Sequence, residues 1–114
     1  MKEFAKEVVR RVEEGEEVTT TSVHISEVLN ILEDHLGVRQ SMAFLAWILS
    51  TRSIRVLPVG VEEYEASLGV AREHLLGLND SLAIHVMRRE GIREIYSMDR
   101  DFDGLPGVER LPKP

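Results

Sequence analysis

At 114 residues, the chain has room for one compact domain and not for two. Hydrophobic residues make up 43% of it, which favours a folded core over disorder, and the absence of cysteine excludes disulfide bonds and thiolate zinc sites. The formal net charge of −6 disfavours a protein that holds nucleic acid by bulk electrostatics alone, although an acidic pocket that binds a metal is compatible with it.

The first segment, residues 2 to 14, has the apolar spacing of an amphipathic helix, and Gly15 ends it. This segment is charged and contains no apolar signal region. No later run of the sequence is apolar for long enough to cross a membrane. We therefore expect a cytoplasmic protein without a membrane partner.

A strand and two helices are predicted next. The β-branched run Val18–Thr21 predicts the strand, and Thr21 or Ser22 can cap the helix over residues 23 to 37. The apolar residues that would form the buried stripe of this helix are Ile25, Val28, Leu29, Leu32 and Leu36. The second helix, residues 38 to 52, contains the run SMAFLAWILS, whose apolar side chains cannot all face one core on a single stripe. Either two packed layers bury both sides of this helix, or part of the run meets a partner.

Short strands and helices then continue to alternate. The predicted elements are a strand at 54 to 59, a helix at 61 to 76, a helix from an Asn79 cap to Gly91, a strand at 92 to 98 and a short strand at 107 to 111. The helix at 61 to 76 places Tyr64, Leu68, Ala71 and Leu75 on one face. This order of elements indicates an α/β layered domain with a mainly parallel sheet.

Three acidic side chains are predicted to meet at one edge of that sheet. Glu27 lies in the first turns of the helix after the first strand, Asp80 opens the helix before the strand at 92 to 98, and Asp99 follows that strand. Ligands gather at the carboxyl ends of parallel strands, and the helices that run antiparallel to them begin at that same edge. Taken singly, each acid also suits an ordinary exposed helix, first-turn or loop position. Together, the three favour a functional site.

The stretch SMDRDFDG, residues 97 to 104, carries Asp99, Asp101 and Asp103 at alternate positions. We expect Phe102 to be buried, so that DFDG forms a turn around it. Asp103 is interpreted as a turn residue before Gly104. Asp101 is interpreted as a turn residue of the same kind.

Carboxylates without cysteine, and without paired histidines at ligand spacing, select hard cations such as Mg²⁺ and Mn²⁺. Such sites cleave phosphodiesters by activating water and by stabilising charge on the leaving oxygen. His24, three residues before Glu27, is the one histidine with a suggestive spacing. No glycine-rich phosphate loop is present, so chemistry on nucleoside triphosphates is unsupported.

The ordered set of segments resembles PIN-domain proteins, in particular the VapC-like toxin ribonucleases of prokaryotic toxin–antitoxin pairs. TTTSVHISEVLNIL is similar to the family segment that carries an acidic helix residue, here Glu27. LNDSLAIHVMRREGIREIYSMDRDF is similar to the segment that carries the later acids, here Asp80 and Asp99. Ser97 matches a small hydroxyl position, and Asp101 matches an auxiliary acid of some members. The resemblance covers essentially the whole chain and implies a three-layer PIN-like fold.

One segment of the family pattern is absent from the sequence. PIN members begin with a strand, central in the sheet, that ends in Asp, whereas this sequence starts at Met1 already in the helix of residues 2 to 14. Three explanations stay open: a reading frame that starts upstream, a lost strand that other strands or a second copy replace, or a degenerate inactive relative. The first is the simplest. We therefore expect a single PIN-like domain over residues 1–114 that is truncated at its N-terminus.

The resemblance implies a metal-dependent endoribonuclease, the toxin of a type II toxin–antitoxin pair, acting on single-stranded or looped RNA. Glu27, Asp80 and Asp99 would be the catalytic residues and would hold Mg²⁺ or Mn²⁺, with Asp101 as a further metal ligand. A homodimer and an antitoxin protein are the expected partners. The alternative is a catalytically impaired PIN-like interaction module for dimerisation or antitoxin binding, because one core acid is absent.

Overall fold

The computed structural model describes residues 2–112, with side chains from Glu3 onward. The elements in chain order are α1 (Lys2–Glu13), β1 (Val18–Thr21), α2 (Ser22–Leu36), α3 (Val38–Ser50), β2 (Ile54–Leu57), α4 (Val61–His74), α5 (Leu78–Glu90), β3 (Glu94–Tyr96), a short 3₁₀ helix (Arg100–Phe102) and β4 (Glu109–Leu111). Within this range, none of the helices combines the length and the apolar character that a membrane span requires.

The packing divides the chain into two compact units. The amino-terminal unit is Ala5–Val59, and the carboxyl-terminal unit joins the described residues up to Phe4 with those from Gly60 onward. Each unit contains one pair of parallel strands, β1 with β2 and β3 with β4. The predicted α/β class with parallel strands is confirmed.

In the amino-terminal unit, the strand β1 turns directly into the helix α2 at Thr21. The Thr21 side chain is buried, and its hydroxyl oxygen accepts the backbone N–H of His24 at 3.2 Å, which caps the helix. The Nδ1 atom of the His24 ring lies 2.7 Å from the same oxygen. Of the two predicted caps, the structure uses Thr21, while the Ser22 hydroxyl accepts the backbone N–H of Val59.

The apolar faces of α2 and α3 are only partly covered. Ile25 of the predicted α2 stripe is buried, but Leu36 is 64% exposed and Val28 is 37% exposed, so the prediction of a fully buried stripe was wrong. The helices α2 and α3 pack against each other around the turn at Gly37. Leu36 lies at that turn, where the described residues supply no further layer to cover it.

The carboxyl-terminal unit is built around Val70, Ile84, Met87 and Phe102, which are buried together. The side chains of α4 that are buried in the interior are Val70 and Ser67, and Ser67 is fully buried. The predicted apolar face of α4, which carries Leu68 and Leu75, is exposed at these two residues. Leu75, the residue after the helix, has a left-handed backbone conformation and is 90% exposed. The helices α4 and α5 pack against each other, and a small side chain such as Ser67 suits a closely packed helix contact.

The helix α5 and the strand β3 carry the chain toward the acidic segment. Gly77, and not Asn79, is the N-cap of α5, and the Asn79 side-chain oxygen accepts a hydrogen bond from the Tyr64 hydroxyl at 3.1 Å. Gly91 ends the helix at φ 70°, a left-handed conformation that glycine adopts without strain. The strand β3 is shorter than predicted, and the segment 97 to 108 connects it to its parallel neighbour β4.

Candidate metal centre

The segment of residues 97 to 103, which follows β3 and which we call the coil, is folded by hydrogen bonds between its own polar side chains and its backbone. The Ser97 hydroxyl accepts the backbone N–H of Asp99 at 3.0 Å, and the Asp99 carboxylate accepts the backbone N–H of Asp101 at 2.9 Å. These are the short-range turns that serine and aspartate favour, and the second caps the 3₁₀ helix. The coiling brings the side chains of Asp99 and Asp101 close together, because one carboxylate is bonded to the backbone of the other residue.

Phe102 anchors this coil to the interior of the carboxyl-terminal unit. Its side chain is only 4% exposed and packs with Val70, Ile84 and Met87. The burial of Phe102, predicted from DFDG, is confirmed. Asp99 and Asp101, in contrast, are exposed to solvent.

A third carboxylate comes to the same place from the helix α5. Asp80 lies in the first turn of α5 and is half-buried. One carboxylate oxygen from each of Asp80, Asp99 and Asp101 lies within 4.8 Å of the other two. The amino-terminal end of α5 favours the negative charge of Asp80, but three carboxylates at this separation repel one another. A donor set of three carboxylate oxygens fits a hard divalent cation, which would offset that repulsion.

Arg110, from the strand β4, contacts both ends of the coil. Its Nε and Nη2 atoms donate to the two carboxylate oxygens of Asp103 at 2.7 and 3.3 Å, and its Nη1 atom donates to the Ser97 carbonyl oxygen at 3.2 Å. Hydrogen bonding to the guanidinium lowers the pKa of the Asp103 carboxyl, and the same pairing raises the pKa of Arg110. Asp103 is therefore an ion-pair partner as well as the turn residue that the sequence indicated.

Sequence reasoning missed this ion pair because no local pattern marks it. Asp103 and Arg110 are seven residues apart with no helix between them, so their spacing predicts no contact. The contact depends on the parallel register of β3 and β4, which pairs Tyr96 with Leu111. Only a prediction of that register could have placed Arg110 beside the acids.

Glu27, the remaining predicted site residue, belongs to the amino-terminal unit. It lies in the second turn of α2, and its side chain is exposed. The expectation that Glu27 joins Asp80 and Asp99 stays a prediction. His24 contacts the capping residue Thr21 through both its backbone N–H and its ring.

Comparison with known proteins identifies the family. The sequence profile of the PIN domain matches residues 1–108. VapC20 of Mycobacterium tuberculosis, described as a toxin that cleaves the sarcin–ricin loop, is 28% identical, with a TM-score of 0.68 over 81% of this chain and 74% of that chain. A toxin–antitoxin complex from Klebsiella pneumoniae, at 17% identity and a TM-score of 0.59 over 78% of this chain and 69% of that one, shows similarity of fold alone.

No curated protein sequence matches the chain significantly. The profile match extends over nearly the whole chain, and the similarity to VapC20 covers most of both proteins. The α/β arrangement with parallel strands agrees with the fold of these neighbours. The chain therefore belongs to the PIN domain family.

Proposed function

We propose that this protein is a metal-dependent endoribonuclease, the toxin of a type II toxin–antitoxin pair that acts in the cytoplasm. The observation that carries the proposal is the meeting of the Asp80, Asp99 and Asp101 carboxylates from two separate segments. The PIN family match and the similarity to VapC20 support the nuclease toxin class.

Asp80, Asp99 and Asp101 would hold Mg²⁺ or Mn²⁺, with Glu27 as a further ligand. When bound, the cation would supply Lewis acidity and lower the pKa of a coordinated water to the neutral range. The protein's own contribution is orientation. The hydrogen bond from the Asp101 N–H fixes one oxygen of Asp99, while Phe102 fixes the backbone that carries both acids.

Single-stranded or looped RNA is the substrate that we propose. Such RNA exposes a flexible backbone whose phosphates can approach the exposed acids Asp99 and Asp101 through a bound cation. The description of VapC20 as a toxin that cleaves the sarcin–ricin loop supports a looped substrate. The net charge of −6 means that contacts with phosphate would be made by local basic residues and not by the overall charge of the protein.

Calorimetric titration with Mn²⁺ tests the metal site directly. We expect saturable binding to the wild-type protein and a loss of affinity of at least about tenfold for Asp80→Asn, because one charged ligand becomes neutral. Glu65→Gln, which removes an exposed acid from α4, is the charge-matched control and should bind Mn²⁺ like the wild type. Equal affinity in Asp80→Asn and Glu65→Gln would contradict a site at Asp80.

A second role, in protein binding, is favoured by the apolar surface of α3. Val38, Met42 and Leu49 lie on one side of this helix, at spacings of four and seven residues, and are 61%, 65% and 68% exposed. Exposed apolar stripes of this kind mark protein interfaces. We propose that this face joins two copies of the chain and that an antitoxin protein is the further partner. A non-catalytic interaction module remains the alternative function, and the Mn²⁺ titration separates it from the nuclease.

Measurement of the oligomeric state tests the proposal that the exposed face of α3 joins two copies of the chain. We expect light scattering after size exclusion to give twice the chain mass of 12.9 kDa for the wild type. Leu49→Glu should weaken the dimer by at least about tenfold, because it places a charge in a desolvated apolar contact. Gln40→Glu adds the same charge on the opposite side of α3 and should leave the dimer intact. A wild-type monomer, or equal dimers in both variants, would contradict the assignment.

A further inference from the structure

Arg110 is a nearly buried cation beside a group of exposed acids. Its side chain is 10% exposed, whereas the side chain of its partner Asp103 is 50% exposed. Arg110 lies in β4, which is fixed to β3 by parallel pairing, and the backbone N–H of Ser97 donates to the Leu111 carbonyl at 3.0 Å. The backbone that carries Arg110 is therefore held by strand pairing, while its guanidinium contacts the acidic coil.

The contacts of Arg110 are made on both sides, in the sequence, of Asp99 and Asp101. One contact is to the Ser97 carbonyl, two residues before Asp99, and the others are to the Asp103 carboxylate, two residues after Asp101. The planar guanidinium makes both contacts at once, because its nitrogens form a rigid fork that a lysine ammonium does not offer. The coil from 97 to 103 is thus closed at both ends by one side chain.

Closure of the coil matters because the carboxylates within it repel each other. Without a cation, mutual repulsion of Asp80, Asp99 and Asp101 favours any motion that separates them. The turns within the coil are exposed, and exposed hydrogen bonds alone stabilise a conformation only weakly. The contacts of Arg110 with Ser97 and Asp103, which we call the brace, join the coil to the paired strand β4 and oppose that separation. The brace keeps the ligands in a preformed arrangement.

We propose that Arg110 is a positioning residue that holds the 97 to 103 coil closed, so that Asp99 and Asp101 face Asp80 before a divalent cation binds. The inference rests on the proposed metal site and adds to it a residue that does not touch the cation. Asp103 is the other half of the brace, and its carboxylate serves the arginine and not the metal.

The test compares Arg110→Met, Arg110→Lys and Asp103→Asn with the wild type by Mn²⁺ titration. We expect Arg110→Met to lose about 10- to 100-fold in Mn²⁺ affinity, the usual effect of removing a group that orients metal ligands. Arg110→Lys should lose less, since it keeps the charge but not the fork. Asp103→Asn should also lose affinity, and the double variant of Arg110→Met with Asp103→Asn should be no worse than Arg110→Met alone.

Hydrogen exchange in EDTA provides a readout that involves neither metal nor cleavage. The backbone N–H groups of Asp99 and Asp101, both hydrogen-bonded inside the coil, should exchange faster in Arg110→Met than in the wild type. Exchange in α5 should be unchanged, which separates an opened coil from a generally destabilised fold. Should Arg110→Met fail to fold, Asp103→Asn gives the same comparison from the exposed side of the ion pair.

The outcomes distinguish this inference from the nuclease proposal. Wild-type Mn²⁺ affinity and wild-type exchange in folded Arg110→Met and Asp103→Asn would overturn the brace, even if the wild type cleaves RNA. Loss of affinity in the variants of a protein that binds Mn²⁺ but cleaves no RNA would support the brace and overturn the nuclease. A wild-type protein that binds no Mn²⁺ would overturn both.

Discussion

Replacing Asp99 by asparagine should reduce Mn²⁺-dependent RNA cleavage by about 100-fold or more, the scale on which single electrostatic groups act at reacting centres. The substitution is informative because Asp99 has two separable roles. Its carboxylate oxygen accepts the Asp101 N–H and caps the 3₁₀ helix, and asparagine caps about as well as aspartate. The fold should therefore survive while the negative charge is lost.

The measurement is cleavage of a looped RNA in Mn²⁺, with thermal unfolding of the same samples in EDTA. Asp99→Asn should unfold within a few degrees of the wild type, and Glu65→Gln should match the wild type in both assays. Unchanged cleavage in Asp99→Asn would indicate a contaminating nuclease or a different site. A large fall in the unfolding temperature would show that the charge of Asp99 stabilises the fold, and the loss of activity could not then be assigned to the metal site.

The proximity of Asp80 and Asp99 in the candidate site could be predicted because both acids lie where local rules place them. In a parallel sheet, the residue after a strand and the first turn of the helix that precedes this strand lie at the same edge of the sheet. This rule predicts that Asp99 and Asp80 lie close together. In the structure, both carboxylates contribute to one group with Asp101. The end of β1 followed from equally local signals, which also limited the helix cap to Thr21 or Ser22.

The errors arise where a contact depends on a partner that the sequence does not specify. Periodicity placed Leu68 and Leu75 on one face of α4, whereas the side chains of α4 that the unit buries are Ser67 and Val70. The Arg110–Asp103 pair was missed for a related reason, since it depends on the register of β3 and β4. The spacing of hydrophobic residues predicts that a helix has a buried side, but it does not determine which neighbouring element packs against that side.

Replacing Phe102 by alanine should lower the free energy of unfolding by about 3–5 kcal/mol, the usual cost of deleting a buried aromatic ring. Phe102 is 4% exposed and packs with Val70, Ile84 and Met87, so the ring leaves a cavity that these side chains can only partly fill. Small domains are stable by about 5–15 kcal/mol, so this loss is a large fraction of the total. Chemical denaturation in EDTA measures it. The matched control Phe102→Leu keeps most of the volume and should cost less than about 1.5 kcal/mol.

The same two variants connect the packing of Phe102 to the metal site. Mn²⁺ at about 100 times its dissociation constant should stabilise the wild type by about 2.7 kcal/mol, because it binds the folded state alone. Phe102→Leu should keep most of this gain, since the coil that carries Asp99 and Asp101 stays anchored. Phe102→Ala should lose affinity for Mn²⁺ as well as stability, because the backbone between its ligands is no longer fixed to the interior. An unaltered gain in Phe102→Ala would mean that the Ser97 and Asp103 contacts of Arg110 hold the acids in place without the ring.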